Sequence, residues 1–475
     1  MREKVILFAN GLHKMKIYIN DESFSYDVHS LVKAFFQDDD VIIEKISADD
    51  SDFVFKMEDI EVSLNAENEE RSFFKNRIKR EIYSALSKYT GKKLPWGTLT
   101  GIRPTKIPMG LINDGVSDDD VAEYMKDTYY VSDEKTKLSI DIAKRERAII
   151  NRLSGTNGFS LYIGIPFCPT TCMYCSFTSY PIIKWKKRVD EYIAAVKKEI
   201  DYVRDNLSDK VIDTVYIGGG TPTTLEPEQF DDLIGYLRSN LDLSKCQEFT
   251  VEAGRPDSIT EEKLIALKRN GVTRISVNPQ TMNEETLRLI GRNHTVKQFR
   301  EVFALAKKYF DNINTDLILG LPGESEKQVS YTFKEIEKLA PESITVHSMA
   351  IKRAAHMDEY LKNHPEIKSV NSPEMMDMAA KCADNLGMSA YYLYRQKNMS
   401  GNYENTGYSL PGKEGIYNIL IMEEVQTIIA CGAGTVTKRV YGDGRIERCD
   451  NVKDVALYIS KIEEMIDRKR QLFKD

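Results

Sequence analysis

The chain has 475 residues, 41% of them hydrophobic, and a formal net charge of −7. A chain of this length is too long for one ordinary core, so we expect two or three domains. The negative charge excludes a general basic field for holding nucleic acid. No apolar run approaches membrane-spanning length, and the N-terminal segment has no long apolar stretch before a cleavage site, so we expect no signal peptide and a cytoplasmic protein.

Residues 1–92 are predicted to form a small α+β domain. Short β-like runs succeed one another at Val5–Phe8, Lys16–Ile19, Val41–Glu44, Phe53–Phe55 and Ile60–Leu64. Helices are predicted over Asp27–Phe36 and Ala66–Tyr89, because apolar residues recur there at helical spacing. Gly91 stands where a glycine commonly ends a helix.

Residues 93–159 are predicted to be a loop followed by a helical linker. The loop is Leu94–Pro108, which is rich in Gly, Pro and Thr and has no periodicity. An ordered connection between domains is the simpler interpretation. The alternative is that Arg103, Thr105 and Lys106 project toward an anionic ligand, because the planar fork of Arg binds carboxylates with two hydrogen bonds.

From Leu161 onward, strand-like runs alternate with helical segments. The six runs are Leu161–Pro166, Asp213–Gly218, Glu248–Ala253, Arg274–Pro279, Asn314–Leu319 and Ile344–Met349. Strands separated by helices imply parallel pairing through crossover connections. The predicted fold class is therefore α/β, a partial (β/α)6 barrel over residues 160–352, with function at the C-terminal ends of the strands. Residues 353–475 lose this pattern and are predicted to form a C-terminal cap that ends in a helix over Val452–Phe473.

Three cysteines, Cys168, Cys172 and Cys175, follow the first barrel strand in CxxxCxxC spacing. Thiolates are the ligands of iron–sulfur clusters, and three thiols on one loop can converge on one cluster. Structural zinc usually takes four Cys or His ligands, and no fourth lies near this loop. We therefore predict an iron–sulfur cluster with one open iron position. The other cysteines have no ligand spacing and are expected to be small buried side chains: Cys246, Cys382, Cys431 and Cys449.

The chain resembles the radical S-adenosylmethionine (SAM) superfamily, and more narrowly the oxygen-independent coproporphyrinogen III oxidase family. The resemblance rests on IPFCPTTCMYCSF, GGGTPTTL, TVEAGRPD, RISVNPQTM, IGRNHT and DLILGLPGES, which fall in the family's order between about residues 160 and 440. Two further stretches, LPWGTLTGIRPTK and YYLYRQKNMSGNYENTGY, are similar to the HemZ branch of that family and extend the resemblance to the whole chain.

The resemblance implies a 4Fe–4S cluster on the three cysteines and S-adenosyl-L-methionine as the second cofactor. It implies cofactor contacts from Tyr162, Tyr174, Gly219, Gly220, Thr221, Glu252, Gln280, Arg292 and Asp316. Glycines at a strand end let the backbone approach a ligand closely, and a carboxylate at Glu252 suits ribose hydroxyls or an ammonium group. Two alternatives stay open: Glu252 forms a salt bridge with Arg255, and the two tyrosines serve ordinary packing.

The implied reaction converts propionates of coproporphyrinogen III to vinyl groups by oxidative decarboxylation, giving protoporphyrinogen IX without oxygen. An electron donor such as flavodoxin or ferredoxin is implied as a partner. The substrate carries four propionates, so a net-acidic protein needs a local basic lining. The arginines considered for that lining are Arg103, Arg292, Arg353 and Arg395.

Three positions depart from the family's patterns. Gly164 stands where the oxidases have a His, and Phe177 stands where they have a further Cys. Phe177 is similar to the pattern of related heme chaperones, but Tyr417 stands where those chaperones have a His. Because a Tyr can also ligate heme iron, a heme-binding chaperone stays open beside the oxidase. So does another radical reaction on a tetrapyrrole, such as heme breakdown or methylation.

Overall fold

The structure, a computed structural model, describes residues 14–37, 39–47, 52–66, 68–350, 356–396 and 403–474. The chain divides into two compact units, residues 1–144 and 145–475. The predicted strand Val5–Phe8 lies outside the described residues, and the four-part division made from the sequence stays a prediction. None of the helices in the described part of the chain is long and apolar enough to cross a membrane.

The first unit contains a four-stranded sheet in the order β2-β1-β3-β4. Its elements are β1 Lys14–Ile19, α1 Ser25–Phe35, β2 Asp40–Lys45, β3 Asp52–Met57, β4 Ile60–Asn65, α2 Arg71–Thr90, α3 Lys106–Asn113 and α4 Asp118–Tyr129. Side chains alternate across a strand, so Ile17, Ile19 and Phe55 face one side, where they pack with Val28 of α1 and Ile82 of α2. The α+β character predicted for this region is confirmed.

In the first unit, two segments have different boundaries in the structure from those predicted from the sequence. Helix α2 begins at Arg71, five residues after the predicted start, and Gly91 ends it with φ of 70°. The predicted loop ends early, because α3 begins at Lys106 and Pro108 lies in its first turn, where a missing N–H costs no hydrogen bond. Thr105 is fully buried, and its hydroxyl has no hydrogen-bond partner. The alternative that it projects toward an anionic ligand stays a prediction.

The second unit is built on one sheet of eleven strands in the order β13-β14-β12-β11-β10-β9-β8-β5-β15-β16-β17. The strands are β5 Gly158–Ile165, β8 Val211–Gly219, β9 Glu248–Gly254, β10 Arg274–Val277, β11 Ile313–Leu319, β12 Ser343–Ser348, β13 Ser389–Tyr394, β14 Asn405–Ser409, β15 Thr427–Cys431, β16 Val436–Val440 and β17 Ile446–Asp450. The six predicted barrel strands are confirmed and pair in parallel. The sheet does not close on itself.

Helices connect the parallel strands, as the crossover rule requires. Between the six barrel strands lie α6 Ile182–Trp185, α7 Val189–Leu207, α8 Pro227–Asn240, α9 Glu261–Arg269, α10 Glu284–Leu289, α11 Val296–Ala306 and α12 Glu326–Leu339. The other helices are α5 Asp133–Ile150, which precedes β5, and α13 His356–Asn363, α14 Pro373–Asn385, α15 Ile416–Glu423, α16 Val455–Ser460 and α17 Ile462–Leu472, which follow β12. The predicted apolar face of α7 is buried in the core, with Tyr192, Val196 and Ile200 fully covered.

The C-terminal region contributes more to the sheet than the sequence indicated. Strand β14 pairs antiparallel with β12, and β15 pairs in parallel with β5. Residues predicted as a cap therefore flank the six barrel strands on both sides, because β-pairing between distant segments leaves little local signal. The single helix predicted over Val452–Phe473 is two helices, α16 and α17, which meet at Lys461.

Candidate functional site

The cysteine loop leaves the C-terminal end of β5. Two short strands, β6 Phe167–Cys168 and β7 Tyr180–Pro181, pair across its base. Between them the backbone N–H of Cys175 donates to the carbonyl oxygen of Cys172 at 3.1 Å, which forms a turn. Cys172 is buried, Cys168 and Cys175 are half-buried, and none of the three forms a disulfide. Within the described residues, no group of three or more His, Cys, Asp or Glu side chains is gathered as around a single metal ion.

Arg255, just after β9, holds the cysteine loop from the side. Its Nη1 donates to the carbonyl oxygen of Thr170 at 2.9 Å and to the Thr170 hydroxyl at 2.7 Å. The same nitrogen lies 3.9 Å from the Cys172 sulfur. Asp257 fixes the guanidinium through two hydrogen bonds of 2.9 and 2.6 Å. Arg255 is 3% exposed, so a buried cation lies beside one of the three thiols.

Two further segments support the loop. The backbone N–H of Met173 donates to Ile290 at 3.1 Å, and Met173 accepts from the N–H of Met357 in α13 at 3.0 Å. Gly291, with φ of 76°, brings its backbone against the loop, and a Cβ there would lie 3.6 Å from the carbonyl oxygen of Thr171. The cysteine loop is therefore held by segments that follow β9, β10 and β12.

The glycine triplet at the end of β8 passes directly under the segment that leads to the cysteines. A Cβ at Gly220 would lie 2.6 Å from the carbonyl oxygen of Phe167, closer than any side chain tolerates. The N–H of Gly220 donates to Ile165 at 2.8 Å. The Thr221 hydroxyl then lies 3.4 Å from the Cys168 sulfur. Only glycine permits this approach, which explains the glycine at position 220.

Glu252 lies near the end of β9 and binds two groups of β8. Its carboxylate accepts from the Tyr216 hydroxyl at 2.6 Å and from the N–H of Gly219 at 3.3 Å. Burial raises the pKa of Glu252 to about 7, and the Tyr216 hydroxyl partly offsets this rise. The alternative of a salt bridge with Arg255 is wrong, because Arg255 is directed to Asp257 and Thr170.

Arg292 connects the cysteine loop to the next strands. Its Nη2 donates to the Tyr174 hydroxyl at 2.9 Å, and its Nη1 donates to the carbonyl oxygen of Asn278 at 3.1 Å. Asn278 in turn donates through its side chain to Asp316 at 2.7 Å. Arg292 is buried, and its Nε has no hydrogen-bond partner. A buried donor without a partner costs free energy, so this nitrogen is suited to donate a hydrogen bond to a ligand's oxygen.

Gln280 adopts a left-handed backbone conformation, with φ of 69°. Its N–H donates to the carbonyl oxygen of Asp316 at 3.1 Å, and its own carbonyl accepts from Ile318 at 2.9 Å. The side-chain Oε1 is buried and has no hydrogen-bond partner. Non-glycine residues held in this conformation concentrate at functional sites, where the surrounding structure compensates the strain.

Three tyrosines stack beside Glu252. Tyr216 lies 4.4 Å from Tyr417 and 6.0 Å from Tyr162 between ring centroids, with interplanar angles of 25° and 14°. Tyr417 is 5% exposed, and burial raises its pKa well above the ordinary value. The Tyr417 ring is therefore part of an internal stack.

Gly164, at the end of β5, lies against the GAGT segment Gly432–Thr435. A Cβ at Gly164 would lie 2.5 Å from Cγ2 of Thr435, so the Thr435 methyl group fills the space of a side chain at 164. The carbonyl oxygen of Gly164 accepts from the Tyr192 hydroxyl at 2.6 Å. Thr435 therefore occupies the space that a side chain at position 164 would need.

The remaining predicted residues are not gathered at this site by any described contact. Arg395, at the end of β13, is 5% exposed, and burial lowers its pKa to about 10 although Glu404 opposes that shift. Arg103 belongs to the first unit, and Arg353 lies outside the described residues. The four other cysteines are free and buried or half-buried: Cys246, Cys382, Cys431 and Cys449.

Sequence reasoning missed Arg255 as a support of the loop, Asn278 as the link between Arg292 and Asp316, and Thr435 as the neighbour of Gly164. A local signal existed for Asn278, because a polar residue between the apolar end of β10 and Pro279 is unusual inside a sheet. Arg255 and Thr435 gave no such signal, because both act on residues far away in the chain.

Comparisons with known proteins agree with this arrangement. Residues 162–336 match the model of the Radical SAM superfamily. The chain is 43% identical over 401 residues to the oxygen-independent coproporphyrinogen-III oxidase-like protein HemZ of Bacillus subtilis, covering 83% of this chain and 80% of that protein. It is 38% identical over 194 residues to the heme chaperone HemW of the same organism, covering 40% of this chain and half of that protein.

The fold has a solved counterpart. Coproporphyrinogen III oxidase (HemN) from Escherichia coli, a radical SAM enzyme, superposes with a TM-score of 0.52 at 20% identity, over 67% of this chain and 73% of that one. Likeness at this identity concerns the fold, whereas the match to HemZ extends over most of both chains. The chain therefore belongs to the radical SAM superfamily, in the oxygen-independent coproporphyrinogen III oxidase-like family that includes HemZ.

Proposed function

We propose that this protein is a radical SAM oxidoreductase of porphyrin metabolism. It converts propionates of coproporphyrinogen III to vinyl groups without oxygen and so yields protoporphyrinogen IX. The observation that carries the proposal is that one loop bears three thiols after the C-terminal end of β5, with the Thr221 hydroxyl 3.4 Å from the Cys168 sulfur and the buried Arg255 guanidinium 3.9 Å from the Cys172 sulfur. The name of its relative, coproporphyrinogen-III oxidase-like protein, supports the substrate class.

The residues fit a 4Fe–4S cluster held by Cys168, Cys172 and Cys175. The loop offers three free thiols, and both a hydroxyl and a guanidinium lie within reach of their sulfurs. The thiolate is the ligating form, and a bound metal centre itself lowers the pKa of the thiols that hold it. When bound, the cluster and SAM supply the hydrogen-abstracting radical chemistry, and the chain supplies position and exclusion of water.

The proposed contacts to SAM lie around the thiols. Gly219 and Gly220 bring their backbone against Ile165 and Phe167, just before Cys168 in the chain, and the Thr221 hydroxyl lies 3.4 Å from the Cys168 sulfur. Glu252 suits the ribose hydroxyls or the ammonium group, and the unpartnered Nε of Arg292 suits the carboxylate. The remaining proposed contacts are Tyr162, Tyr174, Gln280 and Asp316.

The substrate reaction removes one hydrogen atom from the β-carbon of a propionate. Carbon dioxide and one further electron then leave, and a vinyl group remains. Arg353 and Arg395 stay our candidates for binding the propionates. Arg395 is supported by its burial, because a desolvated guanidinium gains most from a carboxylate partner. Since the reaction needs free thiols, we place the protein in the cytoplasm.

A heme chaperone is the second candidate, supported by the similarity to HemW. One observation weighs against it. Tyr417, which takes the position of a chaperone His, is buried in the tyrosine stack with Tyr216 and Tyr162. A heme-iron ligand must present its oxygen to a bound heme, and this ring is 5% exposed.

The test is an anaerobic reconstitution of the iron–sulfur protein, followed by addition of dithionite, SAM and coproporphyrinogen III. Formation of vinyl product together with 5′-deoxyadenosine supports the oxidase. Tight heme binding without turnover favours the chaperone. SAM cleavage with unchanged coproporphyrinogen III points to another radical reaction on a tetrapyrrole, such as heme breakdown or methylation.

A further inference from the structure

A cavity lies at the opposite end of the parallel strands from the cysteine loop. It has a volume of about 310 Å³, near the lower end of the range of about 300–1,000 Å³ that is common for small-molecule sites. Its lining includes Glu248, the first residue of β9, and Thr273 and Asn312, which directly precede β10 and β11. These strands run parallel to β5 in one sheet. The cavity is therefore at their N-terminal ends, whereas the thiols follow the C-terminal end of β5.

Glu248 and Glu252 show how far apart the two ends lie. Both belong to β9, and four positions along a strand correspond to about 13 Å. Glu252 accepts from the N–H of Gly219, in the glycine triplet under the cysteine segment, whereas Glu248 lines the cavity. Active sites of α/β barrels lie at the C-terminal ends of the strands. The cavity is therefore separate from the proposed active site.

Ion pairs join the walls of the cavity and neutralise most of its charged lining. Lys413, after β14, lies 3.3 Å from Asp311, before β11. Glu414 lies 2.7 Å from Arg145 of α5, and both of these side chains are mostly buried. The walls thus come from three distant segments that are fixed to one another, as is usual for a binding site that is formed before its ligand arrives.

Two groups of opposite charge stay available to a ligand. Glu248 is 4% exposed, and its carboxylate accepts from the backbone N–H groups of Ile416 and Tyr417, but a carboxylate has about four acceptor positions. Oδ1 of Asn312 is buried and has no hydrogen-bond partner. Arg152 is exposed and forms no ion pair with a described residue. The cavity therefore offers acceptors on its inner side and a cation at its rim.

This arrangement favours a ligand that carries both charges. Burial raises the pKa of Glu248, although the Arg274 guanidinium opposes that rise, so a ligand's ammonium group would stabilise the carboxylate. A dianion would be repelled by Glu248, and a dication would be repelled by Arg152, since like charges brought together cost free energy. Ile149 and Ile416 add apolar surface to the lining, which suits a short hydrocarbon group.

We propose that this cavity binds a small zwitterion, an α-amino acid with an apolar side chain. Its ammonium group donates to Glu248 and to Oδ1 of Asn312, and its carboxylate accepts from Arg152. Its side chain packs against Ile149 and Ile416. Binding involves no covalent step, and it requires neither SAM nor a tetrapyrrole.

The test is a calorimetric titration of the reconstituted protein with L-leucine, without SAM. Two further compounds keep the hydrocarbon skeleton of leucine and lose one charge each: 3-methylbutylamine lacks the carboxylate, and 4-methylpentanoate lacks the amino group. We expect L-leucine to bind and each of the other two to bind at least about tenfold more weakly, because each leaves a charged group of the site without its partner. L-methionine is avoided as a probe because it is part of SAM. Absence of L-leucine binding, or equal affinity for either compound, overturns the proposal.

Two variants test whether L-leucine occupies this cavity. Arg152→Gln removes the cation at the rim, and Arg470→Gln changes an exposed arginine of α17 as a matched control. Arg152→Gln should bind L-leucine at least about tenfold more weakly, without losing affinity for 3-methylbutylamine, and the control should bind as the wild type does. Glu248→Gln keeps an oxygen for the two backbone N–H groups, and it should weaken L-leucine by a similar factor but not 4-methylpentanoate.

Wild-type affinity for L-leucine in Arg152→Gln overturns the proposal, because the amino acid then binds elsewhere. Arg152 is exposed, so this variant should fold even if Glu248→Gln does not, and equal melting temperatures without ligand confirm this. None of these titrations uses coproporphyrinogen III or SAM cleavage. They therefore decide the amino-acid site whether or not the proposed function is correct.

Discussion

The Arg255 guanidinium donates two hydrogen bonds to Thr170, one to the Thr170 carbonyl oxygen at 2.9 Å and one to the Thr170 hydroxyl at 2.7 Å. The two residues are 85 positions apart in the chain, so this contact joins the cysteine loop to the end of the third parallel strand. Asp257 orients the guanidinium from the other side with two hydrogen bonds. The planar guanidinium of Arg255 therefore holds the loop at two atoms of Thr170 while Asp257 holds the guanidinium itself.

Arg255→Lys should weaken retention of the iron–sulfur cluster. Lysine keeps the positive charge but has no fork, so it cannot hold Thr170 and Asp257 together. Loss of such an outer support typically costs tenfold or more in metal affinity, so we expect the visible absorbance to decay about tenfold faster under a chelator. Arg269→Lys, which changes an exposed pair with Asp231, is the control. Equal decay in both variants would show that the fork does not support the cluster.

The sequence predicts the neighbourhood of Cys168 and Thr221 well, because parallel strands end at the same edge and both residues follow such ends. The structure places the Thr221 hydroxyl 3.4 Å from the Cys168 sulfur. The partners of Arg255 were not predictable, since both Glu252 and Asp257 lie within three positions of it in sequence and only the fold brings Thr170 within reach. The addition of β14 and β15 to the sheet was hidden for the same reason, because strand pairing over long distances leaves no local periodicity.

Cys172→Ala should abolish the brown iron–sulfur absorbance of the reconstituted protein. Two thiols cannot replace three ligands on one cluster. Cys382→Ala is the matched control, because Cys382 is also buried and free but lies on α14 and faces Phe333 of α12. We expect the control to keep full absorbance and iron content. If Cys172→Ala keeps its iron while Cys382→Ala loses it, the ligand assignment is wrong.

Glu252 should make SAM binding depend on pH. Its pKa is raised by burial to about 7, so the side chain is neutral below that pH and a carboxylate above it. If the carboxylate binds the cofactor, affinity rises as pH increases from 6 to 8. In Glu252→Gln the affinity should be flat with pH and about tenfold weaker at pH 8, since hydrogen bonds to charged groups contribute about 1.5–3 kcal/mol. Calorimetric titration with SAM measures both, and Glu285→Gln, at an exposed position, should keep the wild-type profile.

The raised pKa of Glu252 also makes folding stability depend on pH, in the direction opposite to SAM affinity. Stability should fall as pH rises. The folded-state value of about 7 lies above the ordinary 4.5, so charging Glu252 destabilises the ligand-free fold. The stability that the protonated Glu252 side chain contributes is fully present below pH 4.5 and is lost as pH rises through about 7. Glu252→Gln should therefore unfold at higher urea concentration than the wild type at pH 8 without SAM. An unchanged urea midpoint would mean that the carboxylate is already solvated.

Gly164 and Thr435 should be coupled. A Cβ at position 164 would meet Cγ2 of Thr435 at 2.5 Å, so Gly164→Ala should lower the free energy of unfolding by about 1–3 kcal/mol through overpacking. Thr435→Ser removes that methyl group and keeps the hydroxyl bond to Gly432, which is 2.8 Å long. The double variant should regain most of the loss in urea titrations. Additive losses would show that the two side chains do not share one space.

Glu199 organises the segment that faces Gly164. Its carboxylate accepts from the N–H of Gly432 at 2.7 Å and from the Asn451 side chain at 2.8 Å, and it also accepts from the Tyr458 hydroxyl. Lys469 of α17 supplies the compensating charge at 2.5 Å, and both side chains are almost fully buried. Burial lowers the pKa of Lys469, but the Glu199 carboxylate outweighs this and the pKa is raised.

Lys469→Met should destabilise the protein by about 3–5 kcal/mol, because it leaves the Glu199 carboxylate buried without a counter-charge. Glu199→Gln/Lys469→Met removes both charges, and such double replacements are often neutral, so most of the loss should return. Lys198→Met, which breaks an exposed pair with Glu463 at 3.1 Å, should stay within about 0.5 kcal/mol of the wild type. Urea titration of the three variants measures these changes in the free energy of unfolding. If the double variant is as unstable as Lys469→Met, the buried charge is not the cause, and packing of the lysine stem against α7 explains the loss instead.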